Sequence, residues 1–250
     1  MSVAMALFGR KVEVAPLTET DTAFLGEWSQ PYATMVGALK AEFEDQVAHF
    51  VAQHRMTGIG LEGPLDREDR LLVAASACTL SCGWPGFRWT DVSEVLLYAD
   101  DFDRDYRVGG DDGGAPELSG QAHPWGTVLI SLPSLEDSFE DPHDGFHVGY
   151  HEFAHVLDKD SPAASGGAGY GGLPFNIDGP FATEMSKALD AARVALELGD
   201  SPLDEYGLQS PAELWAVTVE AFFEMPGAME TAHPRLRQLL DLYFNQRSAN

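Results

Sequence analysis

Apolar residues recur every three or four positions through YATMVGALKAEFEDQVAHFVAQHR, at Met35, Val36, Leu39, Phe43, Val47, Phe50 and Val51, which predicts an amphipathic helix. The chain before it is read as an extended opening. A second helix is expected within LDREDRLLVAASACTLSCGW, with Asp66 as its N-cap and GWPG as its stop. The pattern then shortens: SEVLLYA reads as a buried strand and GTVLISL, from Gly126 to Leu132, as another. Between them, Asp100 to Pro124 is rich in Asp and Gly and is expected to be a loop or a ragged hairpin. A histidine-bearing helix ending near Asp158 follows, then the glycine-rich stretch SPAASGGAGYGGLP. Three further helices are expected over Phe181 to Leu198, Pro211 to Glu224 and about Pro234 to Asn245. This order predicts an α+β unit spanning residues 1–250. A helical portion to about residue 90 would cover a mixed portion from about 91 to 250.

Charge narrows the partners. The chain has 40 Asp and Glu against 15 Lys and Arg, a net charge of −25. Such a surface repels phosphate backbones and anionic lipid, so direct nucleic-acid binding and membrane association are not expected, whereas a cationic protein surface suits it. Cys78 and Cys82 fall in one helical stretch, ACTLSC, and are expected to be reduced core thiols. MSVAMALFGRK lacks the order of a signal peptide and no run approaches 18 apolar residues, so a soluble, cytoplasmic protein is expected.

The chemistry is concentrated in HDGFHVGYHEFAH, which places a histidine at every fourth position: His143, His147, His151 and His155. On a helix that spacing returns each side chain to nearly one face. One pair encloses a carboxylate beside its first member: HEFAH offers His151 and His155 as ligands of a zinc ion and Glu152 as a general base. Chance yields only ~0.02 such matches in a chain of this composition. Asp144 and Gly145 look like a helix start that would leave His143 outside, and His143 and His147 are read as satisfied polar or rim groups. Asp158 shares the ligand stripe, as an acceptor for an imidazole N–H or as an exposed helix-end residue.

A catalytic zinc takes three protein ligands and keeps a fourth position open. SPAELWAVTVEAFFEM is the best source of the third: a helix with Ser210 as N-cap, Pro211 at its first position, and Glu213, Glu220 and Glu224 near one stripe. Ser210-x-x-Glu213 is equally a capping box, which would turn that carboxylate back to the cap. Spacing leaves Glu213 and Glu220 open as alternatives.

HEFAHVLD, YGLQSPAELWAVTVEAFFE, PRLRQLLDLYFNQ and VSEVLLYADDF together resemble the Mlc titration factor A family of bacterial zinc-dependent peptidases, over about Lys40 to Gln246. A more distant similarity is to the anthrax lethal factor catalytic domain. The resemblance implies a zincin-like metallopeptidase fold with a small mixed sheet, zinc on His151, His155 and Glu213, and Glu152 as general base. It implies a supporting role for Glu220 behind the ligands, and it puts Tyr206 beside the reaction centre as a hydrogen-bond donor to the developing oxyanion. It further implies peptide or protein substrates, an aminopeptidase-like activity and association with a transcription repressor of the Mlc type. His147 stands where relatives usually carry Asn. The GTVLISL strand is expected to lend its edge to an extended substrate, and Ser161 to Gly172 to form a lid or a plain connection. The alternative reading is a regulatory protein that sequesters a repressor and keeps only a vestigial or structural zinc.

Overall fold

The computed structural model describes residues 14–108, 118–158 and 179–244. In chain order the elements are α1 (Glu19–Trp28), α2 (Gln30–Thr34), α3 (Gly37–Gln53), β1 (Arg55–Ile59), α4 (Arg67–Ser81), β2 (Glu94–Tyr98), β3 (Gly120–Ala122) and β4 (Thr127–Ser131). There follow α5 (Leu132–Glu140), α6 (Val148–Asp158), α7 (Gly179–Glu197), a 3-10 turn (Glu205–Leu208), α8 (Pro211–Glu224), α9 (Pro226–Ala232) and α10 (Pro234–Tyr243). Among the described residues the fold is mixed α and β, as the hydrophobic pattern predicts, helical with a small four-stranded sheet of which that pattern named two strands.

α4 is a buried helix on which α1, α3, α5 and α6 pack. Asp66 caps it through a complete capping box, its side chain accepting from Asp69 N–H at 2.9 Å while the Asp69 carboxylate accepts from Asp66 N–H at 2.9 Å. Every residue from Leu71 to Ser81 is buried. Cys78 and Cys82 are buried and not joined in a disulfide. Gly149 of α6 lies directly on Ser76, where any Cβ would collide with the serine side chain. That missing side chain lets the histidine helix settle closely onto α4.

The sheet runs β1-β2-β4-β3, with β1, β2 and β4 parallel and β3 antiparallel to β4. Alternation divides its faces: Val95, Leu97, Val128 and Ile130 belong to the main core, while Tyr98 and Leu129 pack with Phe102 in a smaller cluster. α8 is fixed to α6 by the Trp215 indole N–H, which donates to Ala154 O at 3.1 Å. The Trp215 ring stacks on Phe244 beyond the end of α10.

Several expectations are corrected. The supposed extended opening contains α1, started by a capping box in which Thr18 and Asp21 exchange bonds of 2.8 and 3.1 Å. The first predicted helix is broken at Met35 and Val36: Gly37 has φ +60°, and Val36, placed on the apolar face by periodicity, is 71% exposed. Strand β1 was not anticipated. GTVLISL is a strand only to Ser131, since Leu132 and Pro133 begin α5. β4 is interior, flanked by β2 and β3, so it has no edge to lend. Among the described residues the edge strands are β1 and β3, and β3 lies inside the stretch expected to be a loop or ragged hairpin. The proposed lid, Ser161 to Gly172, and the terminal Asn245 lie outside the described residues.

Candidate metal centre

The histidine ladder is divided by where the helix begins. α6 starts at Val148, not at Asp144 and Gly145; Gly145 turns the chain at φ +86°, and Asp144 accepts from Phe146 N–H at 2.8 Å. His147 takes the capping position, its Nδ1 accepting from Tyr150 N–H at 3.3 Å. Its ring is stacked on Tyr150 at 3.6 Å, and burial holds its pKa down to about 3. His143 is outside the helix, with Nδ1 3.2 Å from Glu224 O and Nε2 3.1 Å from the Gln30 amide. Only His151 and His155 present their rings one turn apart on the helix face, with centroids 4.8 Å apart.

Glu213 meets them from α8. Its backbone N–H donates to the Ser210 hydroxyl at 3.1 Å, so that half of the capping box is made. The other half is not: the carboxylate extends to the imidazoles, with Oε2 3.0 Å from His151 Nε2 and 3.2 Å from His155 Nε2. Among the described residues, His151, His155 and Glu213 are a group whose ligand atoms lie within 4.8 Å of one another. Three donors tetrahedrally arranged about 2.1 Å from one zinc-sized ion would stand roughly 3.4 Å apart, so the group fits such an ion with small side-chain adjustments. Two imidazoles and one carboxylate, with a cleft on the remaining side, are the donor set of an open site.

Behind the histidines lies Glu220, seven residues along the same face of α8 and 2% exposed. Its Oε1 stands 2.7 Å from His151 Nδ1, and its Oε2 accepts from His147 backbone N–H at 2.6 Å. An acceptor at Nδ1 places the ring proton there and leaves Nε2 for a metal. Without an ion, burial works against protonation of His151, but the hydrogen bonds that Glu213 and Glu220 accept from it, with the charges of Glu220 and Glu152, outweigh burial and hold the ring well above its usual 6.5. Burial likewise opposes ionisation of Glu213, yet the two histidines bring its pKa down to about 2.

Glu152, beside the first ligand, is 4% exposed, and its Oε2 has no hydrogen-bond partner among the described residues. Burial raises its pKa above the ordinary 4.5, against the charges of His151 and His155. The expected hydrogen bond from an imidazole to Asp158 is not made. Asp158 Oδ1 has no partner, and burial raises the carboxyl to about 7, with the charge of His155 acting against it. Asp158 instead acts by charge on the Tyr243 hydroxyl of α10. Tyr206, on the 3-10 turn, has its ring 5.9 Å from that of His151 and is 41% exposed. Its backbone is held by a 2.7 Å bond from its N–H to the Asp204 carboxylate.

These groups line an open cleft of about 360 Å³, with Leu118, Gly120, Gln121, Ala122 and Pro124 as the opposite wall. That wall is β3, which sequence reasoning missed. Its pairing shows which way its amides point: Ser131 N–H donates to Ser119 O at 2.7 Å and His123 N–H to Thr127 O at 2.8 Å. In an antiparallel ladder the intervening Gly120 and Ala122 turn their N–H and C=O groups away from β4, to the free edge. Burial and the charges of Glu213 and Glu152 raise the pKa of Tyr206 above its ordinary 10, opposed by the charge of Arg104, a residue the sequence reading did not single out. The turn residues HPWG mark the end of β3 in the sequence, but GQA carries no apolar alternation that would announce a strand.

Comparison with known proteins gives a consistent picture. Residues 7–245 match the model of a family described as glucose-regulated metallo-peptidase M90. An uncharacterised protein of Synechocystis is 28% identical over 243 residues, covering 92% of this chain and 84% of that one. Mlc titration factor A of Yersinia enterocolitica is 27% identical over 240 residues, 89% of this chain and 86% of its own. The protein of the same name from Pectobacterium atrosepticum is 29% identical over 160 residues, 61% and 59% respectively. Among the described residues no helix is long and apolar enough to cross a membrane.

Proposed function

Since the chain belongs to the glucose-regulated metallo-peptidase M90 family, we propose that it hydrolyses peptide bonds as a zinc enzyme with a zincin-like catalytic half. The observation that carries this reading is the convergence of His151, His155 and Glu213 beside the buried carboxylate of Glu152. When bound, zinc supplies a Lewis acid that brings the pKa of water toward 7 and polarises a carbonyl. His151, His155 and Glu213 hold the ion, and Glu220 keeps His151 in the tautomer that leaves Nε2 for it. Glu152 accepts the proton of the attacking water at its carboxylate and delivers it to the leaving amine. Tyr206 donates a hydrogen bond from its hydroxyl to the oxygen that gains charge.

A substrate in extended conformation is bound along β3, whose Gly120 and Ala122 amides face the cleft. Main-chain pairing of this kind reads few side chains, in keeping with a peptide or protein substrate of broad sequence, cleaved in aminopeptidase-like fashion. The decisive experiment is turnover of a peptide library with parent and Glu152→Gln protein at equal zinc content. Loss of turnover in the variant supports the reading, and equal turnover sinks it.

A second reading is favoured by the relatives named Mlc titration factor A and by the charge of −25. In it the protein acts in the cytoplasm by sequestering a repressor of the Mlc type. Binding that survives both Glu152→Gln and chelation would favour this role over catalysis.

A further inference from the structure

Glu152 is confined by contact. Its Oε2 has no hydrogen-bond partner among the described residues, yet the residue is 4% exposed. What lies against it is the backbone of Gly120 in β3. A methyl group built on Gly120 would stand 2.5 Å from Glu152 Oε1, 2.7 Å from Cγ and 2.8 Å from Cδ. Backbone conformation does not demand a glycine here, because Gly120 is in a strand and is absent from the positive-φ glycines. A glycine in a strand weakens it, and one that conformation does not require marks a close approach by another group. The group that approaches is the carboxylate beside the metal ligands.

We propose that Gly120 is a positioning residue for Glu152: its bare backbone is the platform that sets where the carboxylate stands relative to the cleft. This rests on the peptidase reading and deepens it. The N–H and C=O of Gly120 face the free edge, so a peptide paired with β3 is registered against the same residue that locates the base. One backbone position thereby fixes both the proton acceptor and the scissile bond it serves, and every other amino acid there displaces the acceptor.

The test is Gly120→Ala, with Glu152→Asp and the double variant as controls. Misplacing a reacting group by about 1 Å costs up to roughly a hundredfold in rate, so Gly120→Ala is expected to lower kcat about 10- to 100-fold. KM and zinc affinity by chelator competition stay at parental values, because the three ligands are not touched. Shortening the acid by one methylene frees the space the new methyl needs. The same substitution in the Glu152→Asp background should therefore cost no more than about threefold, a strongly non-additive cycle. Unchanged kcat, or an equal penalty in both backgrounds, overturns the proposal. A fall in melting temperature for Gly120→Ala that the double variant recovers supports the contact, and one that it does not recover counts against it. Crystal structures of parent and Gly120→Ala protein decide the matter without turnover: a displaced Glu152 carboxylate is expected, and an unmoved one overturns the proposal. Should Glu152→Gln in the parent leave turnover intact, the peptidase reading fails on its own while the crystallographic comparison still judges Gly120.

Discussion

The two halves of the histidine ladder have the same spacing in sequence and opposite surroundings in the fold. His151 and His155 turn their rings to a carboxylate that comes from another helix, with Nε2 to Oε2 distances of 3.0 and 3.2 Å. His147 and His143 turn theirs into packing and backbone bonds: one caps α6 and stacks on Tyr150, the other reaches Glu224 O and Gln30. A spacing of four places residues on one face only where the backbone is helical, and here the helix begins at Val148. What a histidine does is therefore decided by the element it falls on and by the acid opposite it.

The largest break in this comparison is expected at the residue enclosed by the ligand pair. Glu152→Gln should keep one zinc per chain while peptide turnover falls about 10²- to 10⁴-fold, the usual weight of a positioned proton acceptor. Steady-state kinetics on zinc-loaded protein measure it. Next comes Glu213→Ala, which removes the carboxylate that only the lower half of the ladder meets. Zinc affinity by chelator competition should drop more than about a hundredfold, beyond the effect of an outer partner, whereas His143→Ala should leave it at the parental value. If His143→Ala weakened zinc as much as Glu213→Ala, the distinction between the two halves would collapse.

Glu220 touches both halves, through His151 Nδ1 and His147 N–H. Its replacement by Gln keeps a carbonyl acceptor for one partner but not a carboxylate for both. Zinc affinity is expected to fall about 10- to 100-fold, less than for Glu213→Ala. An equal or larger loss would mean that Glu220, rather than Glu213, is the ligand.

How much of this was legible varies with the range of the cause. The cap of α4 and the periodicity of α8 are local, and both could be read from side-chain type and spacing alone. HEFAH identified His151, Glu152 and His155 as a cluster because an HExxH spacing is itself a helix geometry. Glu213 and Glu220 could not be separated, since they occupy one stripe. What separates them is depth, with side chains 22% and 3% exposed, and depth is set by how α8 lies on α6. β3 was missed because three residues without apolar alternation carry no strand signal; it is a strand because β4 has an edge that must be paired. Gly120 was invisible for the same reason, since its role is to leave room for a side chain 32 positions away in sequence. The break before α3 was missed because Val36 fits the apolar period, and only its 71% exposure shows that it flanks the helix start.

The smallest effect, and the one that isolates the upper half of the ladder, is on stability against pH. Burial keeps the His147 pKa at about 3, while an unfolded chain protonates the same ring near 6.5. The folded form therefore binds fewer protons than the unfolded form between these values. Stability that is full above pH 6.5 is lost as pH falls, by about 1.4 kcal/mol per unit. Glu224 works in the opposite sense: burial and neighbouring acids raise its carboxyl to about 8, so its contribution is present below 4.5 and lost as pH rises. In the whole protein the two slopes oppose each other between pH 4.5 and 6.5, and neither can be read directly. His147→Asn separates them, because Asn retains a capping acceptor, does not titrate, and leaves Glu224 in both proteins. Urea unfolding of the zinc-free proteins at pH 6.5 and 5.5 should show the variant gaining about 1 kcal/mol on the parent over that unit, with zinc affinity at neutral pH unchanged. Parallel stability profiles would mean that the His147 ring titrates in the fold as it does in the unfolded chain, and that its burial does not keep it neutral.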